Sequence, residues 1–366
     1  MSNARNLANL LGTGTQITTA DIADGAFQAN KNLIINGAMQ VAQRGTSFTP
    51  SSSANVYTLD RQAFYHNMGS HTVEQSTDAP AGFTNSLKIT VTTAGTIGAN
   101  TINQLGIGIE GYDTVGLRWD GKGSAKPATA SFWVKTSVAG TYAYRIRLGG
   151  VGTIVKEFTV NSANTWEYKT ISIPACPYTI PNFQNGMGFF VGWQLDCGTT
   201  YQSTANGAWE TPDNYGTAGM ANNFGQTLNA TFQVTGHQLE VGDTATPFEH
   251  RSYGDELQRC QRYYIEYGKD LNPNGPTAFR APLFDANTIN SGYCFAQVDL
   301  PVDMRTSGTF TAYRATNGSG ANLNNTNWGP FTSNANQRHI MIQKHTNSMT
   351  GNQTTVYLMF DMDAEL

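Results

Sequence analysis

The run Ser131–Leu148, SFWVKTSVAGTYAYRIRL, decides the fold class. Tyr142, Tyr144, Ile146 and Leu148 alternate with Arg145 and Arg147 on the opposite side, the two-residue period of a half-buried strand, and Ala130, Phe132 and Val134 show it again just upstream. The same alternation recurs at Leu87, Ile89 and Val91 and at Ala230, Phe232 and Val234. Strand-like runs fall near 33–41, 57–67, 86–92, 102–110, 128–136, 141–148, 153–160, 166–173, 186–195 and 229–241, separated by Gly, Asn, Ser and Thr clusters. No helical period interrupts them. Many short strands with turn signals and no helices give an all-β fold, a jelly-roll β-sandwich rather than a parallel α/β sheet.

Working outward, the pattern changes near Thr246. In HRSYGDELQRCQRYY, Ser252 is placed to cap a short helix with Asp255 and Glu256 in its first turn and Leu257 and Cys260 on one face. Further strand-like runs follow near 277–284, 292–300, 308–315, 338–344 and 354–361, enough for a small C-terminal β-domain. At the other end, Leu7, Leu10 and Leu11 share one face of a short helical stretch that Gly12 and Gly14 terminate. So short a helix needs a surface to pack on, which makes residues 1–30 a candidate attachment segment. The expected organisation is therefore 1–30 attachment segment, 31–250 jelly roll, 251–268 connecting helix and strand, and 269–366 C-terminal β-domain.

Composition narrows the function. Of the 366 residues only 13% are charged, against roughly 25% in ordinary globular domains. With 22 basic and 26 acidic residues the net charge is −4, so nothing supports a grip on phosphates, and neither a nucleic acid nor an anionic membrane is an expected partner. No apolar run approaches the roughly 20 residues of a spanning helix, and the first residues lack the apolar core of a signal peptide, so a soluble chain not exported by that route is expected. Cys176, Cys197, Cys260 and Cys294 lack zinc-site spacing and read as buried thiols, with a Cys176–Cys197 disulfide the alternative. The six histidines never pair at ligand spacing; His66 and His71 come closest. No cofactor or metal is expected.

Tests for catalysis fail in turn. There is no nucleophile elbow, no phosphate-binding loop and no zinc-protease helix. The glycines of Gly106-Ile107-Gly108-Ile109-Glu110-Gly111 sit inside a strand pattern, where they mark close packing or a bulge. Asp196, Glu210 and Asp213 form the one acidic group worth testing for glycoside hydrolysis, which needs two carboxyls side by side in space. They lie in or beside a stretch without strand pattern, 196–226, whose Tyr201, Trp209, Tyr215 and Phe224 require it to pack either on its own domain or on a partner. A neutral glycan offers no charge to hold, so its binders use aromatic platforms with amides and hydroxyls. Trp119, Trp209, Tyr215 and Trp328, all in polar, loop-like contexts, are the candidate glycan contacts.

One stretch carries a family resemblance. NLIINGAMQVAQRGTSFTPSSSANVYTLDRQAF supplies Asn32, Asn36, Gly37, Val41, Gln43, Arg44 and Gly45, then Tyr57, Asp60 and Arg61. It resembles the opening of the jelly-roll domain in tailed-bacteriophage fibre and virion-decorating proteins, with Gln62-Ala63-Phe64 where a Trp often follows the Arg. SFWVKT at 131–136 looks like that group's central strand, GHQLEVGDTATPFEHRSYGDELQRCQRYY from Gly236 is similar to its closing strand and exit helix, and LPVDMRTSGTF from Leu300 resembles an element of its β-rich tail. The resemblance implies a virion component, commonly a homotrimer, assembled in the host cytoplasm. It would dock on another virion protein through residues 1–30 and face outward with its β-domains, as a tail fibre or spike meeting host-surface glycan or as a capsid decoration, cement or head-fibre protein. No catalytic residues travel with it, and a glycan-degrading tailspike is the remaining alternative. Its charged motif residues read as architecture: Asp60 and Arg61 are expected to form a buried ion pair with partners such as Arg44, and Glu240, Asp243 and Glu249 to hold the short helix.

Overall fold

A computed structural model describes residues 30–211, 214–267, 280–284, 293–306, 308–317, 322–323, 328–330, 339–345 and 355–366. The longer strands of the first part are β1 Ala63–His66, β2 Ser70–Ser76, β3 Ser86–Thr93, β4 Ile102–Glu110, β5 Ala128–Thr136, β6 Gly140–Arg147, β7 Thr153–Val160, β8 Glu167–Ile173, β9 Met187–Cys197 and β10 Thr231–Val241. One sheet runs Ser47–Phe48, β2, β3, β10, β5, β8; the other runs Trp209–Glu210, β7, β6, β9, β4, β1, Val56–Tyr57. Every pairing in both is antiparallel. The chain crosses repeatedly between sheets, and the last long strand, β10, inserts between β3 and β5, which makes the jelly roll that the alternating sequence required.

The core lies where the two inner faces meet. Phe132 stacks on Tyr144 at 5.6 Å and meets the edge of Trp193 at 5.3 Å, and Trp193 lies 4.4 Å from the His237 ring. The Tyr144 hydroxyl satisfies His237 Nε2 at 2.7 Å. Large aromatic rings interdigitate between the sheets with a larger number of Ile, Leu and Val side chains, and together their burial pays for ordering so many short strands. In the central pair of the seven-stranded sheet, Gly192 stands opposite Gly106; a side chain on Gly192 would land on the Leu105 carbonyl and the Gly106 Cα. The glycine run is thus a place of close packing, as its strand context implied.

Three elements differ from the strand pattern. Residues 33–41 form turns, with Asn36 at φ 58° and Met39 at φ 56°, because side-chain hydrogen bonds there replace strand pairing. The run 57–67 breaks into Val56–Tyr57 and β1 around Arg61, whose φ is 69°. Strand β2, SHTVEQS, carries no clear apolar alternation in its sequence, because only His71 and Val73 of it are buried.

After the sandwich, α1 (Tyr253–Gln261) begins as expected, with the Ser252 hydroxyl accepting from the Asp255 amide at 3.2 Å. It leads into β11 Tyr264–Tyr267, which pairs with the final strand of a separate C-terminal sheet. That sheet also contains β12 Arg280–Phe284, β13 Tyr293–Asp299, β14 Thr309–Asn317, β15 His339–His345 and β16 Thr355–Asp363.

Cys176, Cys197 and Cys260 are buried free thiols, so Cys176 and Cys197 are not bridged. His66 and His71 meet ring to ring at 4.6 Å inside the sandwich, beside Phe64 and Phe224. Neither ring nitrogen of His71 has a hydrogen-bond partner. Burial pushes both His71 and His237 down to about 3, so the folded protein keeps them neutral. The unfolded chain protonates them near 6.5, so their contribution to stability is complete above that pH and is lost progressively as pH falls toward 3. Burial pushes Asp60 and Asp196 up to about 6, which opposes that loss between about pH 6 and pH 4. Replacing His71 by Leu removes one proton from the balance. Urea midpoints between pH 7 and pH 4 should show an acid limb flatter by about 1.4 kcal/mol per pH unit, with little stability lost at pH 7. An unaltered slope would contradict the assignment.

Candidate functional site

The residues of the family resemblance gather at one end of the sandwich. Asn36 Nδ2 donates to the carbonyls of Val41 (2.9 Å) and Asp60 (3.0 Å), and Asn36 Oδ1 accepts from the Val41 amide at 2.9 Å. Asp60 in turn receives the Gln43 amide at 2.6 Å and the Gln43 side chain at 2.5 Å. Those bonds hold the charged carboxylate against its burial, which is the larger effect and raises its pKa. Gly37 belongs to this knot as well, since a Cβ there would collide with the His237 carbonyl.

The two arginines reach further. Arg44 donates to Asp363 at 2.8 Å and to Glu365 at 3.4 Å, and its guanidinium lies 3.6 Å from the Tyr264 ring. Arg61, fully buried, pairs with Glu365, donates to the Gly108 carbonyl at 2.5 Å and lies 3.5 Å over Tyr263. Arg305 donates to the carbonyls of Ala364 (2.7 Å) and Glu365 (2.8 Å), and Glu110 takes Arg262 and the Tyr263 hydroxyl. The expected Asp60–Arg61–Arg44 ion pair is therefore corrected. Both arginines share Glu365, while Asp60 is satisfied by Gln43, because the left-handed backbone at Arg61 turns its side chain away from its neighbour. Glu249 and Glu240 also depart from expectation: Glu249 accepts the amides of Asn30 (2.9 Å) and Asn32 (2.8 Å), and Glu240 holds Thr246. It is Glu256 inside α1 that reaches back to Asn36. The exposed Asp243 accepts from the Thr244 hydroxyl.

The candidate glycan contacts disperse. Trp119 is fully buried; its indole donates to the Lys126 carbonyl at 2.8 Å, and its ring meets Phe189 and Trp209. Its polar sequence context belongs to the turn around it, where Arg118 at φ 54° directs the chain inward, so no face is left for a sugar. Trp209 is half-buried, donating to the Pro174 carbonyl at 2.9 Å while its two-residue strand extends the sheet beyond β7. Tyr215 is half-buried against Tyr201 and covers the Arg145 guanidinium at 3.8 Å. Trp328 pairs with Lys344 through its backbone, but its side chain lies outside the described residues, as do Leu7, Leu10 and Leu11.

The stretch 196–226 folds back on its own domain. Tyr201, Tyr215 and Met220 pack on Ala143 and Val155 of the seven-stranded sheet, and Arg145 and Thr153 both donate to the Asn214 carbonyl. Its acids do not assemble into a hydrolytic pair among the described residues. Asp196 is buried, accepting from Asn103 (2.8 Å) and the Gly225 amide (2.9 Å), Glu210 accepts from Asn214 at 3.0 Å, and Asp213 lies outside the described residues. Among the described residues no cluster of three or more metal-ligating side chains occurs, and no helix is long and apolar enough to cross a membrane.

One exposed ring, Tyr168, and two half-buried ones, Trp133 and Trp166, lie instead on the outer face of the six-stranded sheet. Trp133 on β5 and Tyr168 on β8 are direct cross-strand partners with centroids 5.4 Å apart. Trp166 lies beside them, its indole donating to Asp78 at 3.2 Å, and Lys135 pairs with that same Asp78. The left-handed Gly236, φ 62°, forms the floor between Trp133 and Phe83, where any Cβ would strike the Phe83 ring. The signal was in SFWVKT: Trp133 has the opposite parity to Phe132 and Val134, so it had to face out.

No known family's profile matches the chain, and no curated protein does. Solved structures give remote likenesses. The enzymatically active domain of tailspike protein 4 of bacteriophage CBA120 is 12% identical over 58% of this chain and 21% of that one, with a TM-score of 0.32. The family 11 carbohydrate-binding module from Clostridium thermocellum, in complex with a mixed-linked tetrasaccharide, is 14% identical over 56% of this chain and 98% of that one, with a TM-score of 0.26. The tandem CBM22 domain from Paenibacillus barcinonensis is 9% identical over 93% and 100%, with a TM-score of 0.29. This chain thus spans about a fifth of the tailspike domain. Likenesses this remote say nothing about what the chain binds.

The clamp on Glu365 is testable. Arg61→Ala strands a buried carboxylate and should cost about 3–5 kcal/mol of stability. Arg61→Met combined with Glu365→Leu, which removes both charges, should recover most of that loss by denaturant titration. Equal losses in the single and double variants would show that the pair is not the source.

Proposed function

We propose that this chain is a structural virion protein of a tailed bacteriophage, a tail fibre or spike that docks through residues 1–30 and meets glycan on the host surface without enzymatic activity. The reading is supported above all by the place of the resemblance residues. Asn36, Gln43, Arg44, Asp60 and Arg61 all serve one network that joins the sandwich to the end of the C-terminal sheet, where their polar groups are engaged with the protein itself. Such a joint suits a part that must transmit force between a particle and a cell. A sparsely charged, hydroxyl- and amide-rich composition fits contact with a neutral polymer, where ionic attraction would gain little. Self-association as a homotrimer belongs to the same proposal.

Two measurements on purified particles test it. Deleting residues 1–30 should abolish incorporation into virions while leaving the rest of the isolated protein folded; normal incorporation of the truncated protein would refute the docking role. Copy number then separates fibre from decoration: a handful of copies per particle agrees with the proposal, and hundreds would assign the chain to the capsid surface.

A further inference from the structure

Resting on the glycan-contact reading above, we infer that the outer face of the six-stranded sheet, at Trp133, Tyr168 and Trp166, is a stacking platform for a short stretch of neutral saccharide. The three side chains come from β5, β8 and the turn just before β8, so a rigid sheet fixes their spacing. Tyr168 is 44% exposed, and its ring lies 5.4 Å from that of Trp133. Trp133 is held from beneath by Phe83 across Gly236, and Trp166 is held by its hydrogen bond to Asp78. Rings anchored in this way lose little freedom on binding, which is what a weak stacking ligand requires.

Size and charge select the occupant. Aromatic side chains carry about 150–250 Å² each, so one partly exposed tyrosine and two half-buried tryptophans offer at most about 270 Å² together. A specific protein interface needs roughly 800 Å² from each partner, so the patch is too small to hold a second copy or another protein by itself, but matches one or two sugar rings. The charges around it are already consumed: Lys135 pairs with Asp78, and Lys88 with Glu74 at 2.8 Å. Among the described residues the lysines of this face are thus already paired and offer little to an acidic polymer. Beyond Tyr168 the same face of β8 continues with exposed Thr170 and Ser172, hydroxyls suited to a sugar's rim.

The test uses the full chain with four neutral probes, cellotetraose, xylotetraose, maltotetraose and chitotetraose, followed by tryptophan fluorescence and saturation-transfer NMR. At least one should bind the wild type. Trp133→Ala and Tyr168→Ala should each weaken it about tenfold, while Tyr168→Phe, which keeps the stacking face, stays within about threefold. Trp133 is half-buried and pairs with Tyr168, so both alanine variants should lower the thermal midpoint modestly while remaining folded, and Tyr168→Phe should leave it nearly in place. Binding that survives Trp133→Ala but is lost in Tyr215→Ala would overturn this platform and leave glycan contact standing. Binding of none of the four by the wild type would overturn the platform and count against glycan contact itself. A change of sedimentation coefficient in Trp133→Ala would overturn it too, by making the face an interface between copies.

Discussion

The structure turns on one buried carboxylate. Glu365, next to last in the chain, receives Arg61 and Arg44, while its backbone carbonyl receives Arg305. Taking three charges out of water is expensive, and the cost is met only because every partner is also hydrogen-bonded or stacked: Arg61 over Tyr263 and on Gly108, Arg44 over Tyr264 and on Asp363. Through this one point the turn before β1, the edge of β4, the residues after α1 and the end of β16 are held in register. The Ala364 amide on the Tyr263 carbonyl and the Tyr57 hydroxyl on the last carbonyl complete the seat.

That economy of charge gives the composition its meaning. With so few ionic residues, those in the strands and turns are spent on joints, as at Glu110–Arg262 and Glu249–Arg251, and the open faces are left to hydroxyls, amides and rings. The stretch 196–226, which looked large enough to be a binding loop, covers the outer side of the seven-stranded sheet with Tyr201, Tyr215 and Met220. Among the described residues the outer face of the opposite sheet has no such cover over its Trp133–Tyr168 pair, so the two outer faces of the sandwich differ.

The same asymmetry explains which sequence readings failed. Trp119 is core, whereas Trp133 lies half-buried on an outer face. For Trp133 the strand parity of its neighbours tells the direction; for Trp119, after a 3-10 turn, there is no periodicity to consult, and a single left-handed residue sets where the ring goes. Asp196 read as a candidate acid because its neighbourhood is polar, but it is the last inward turn of β9 and holds Asn103 and Gly225.

The sequence by itself determined the all-β class, most strand positions, the capped helix and the close packing of the glycine run, because each depends on neighbours a few residues away: side-chain parity, a cap, a missing Cβ. Only the tertiary structure decided the partners of Arg44 and Arg61 and the closure of one sheet face. The arginine contacts join residues some 300 positions apart, as Arg61 and Glu365 are, and those closing the face span 61 and 69 positions at Asn214; no local period records which distant partner a buried side chain will find.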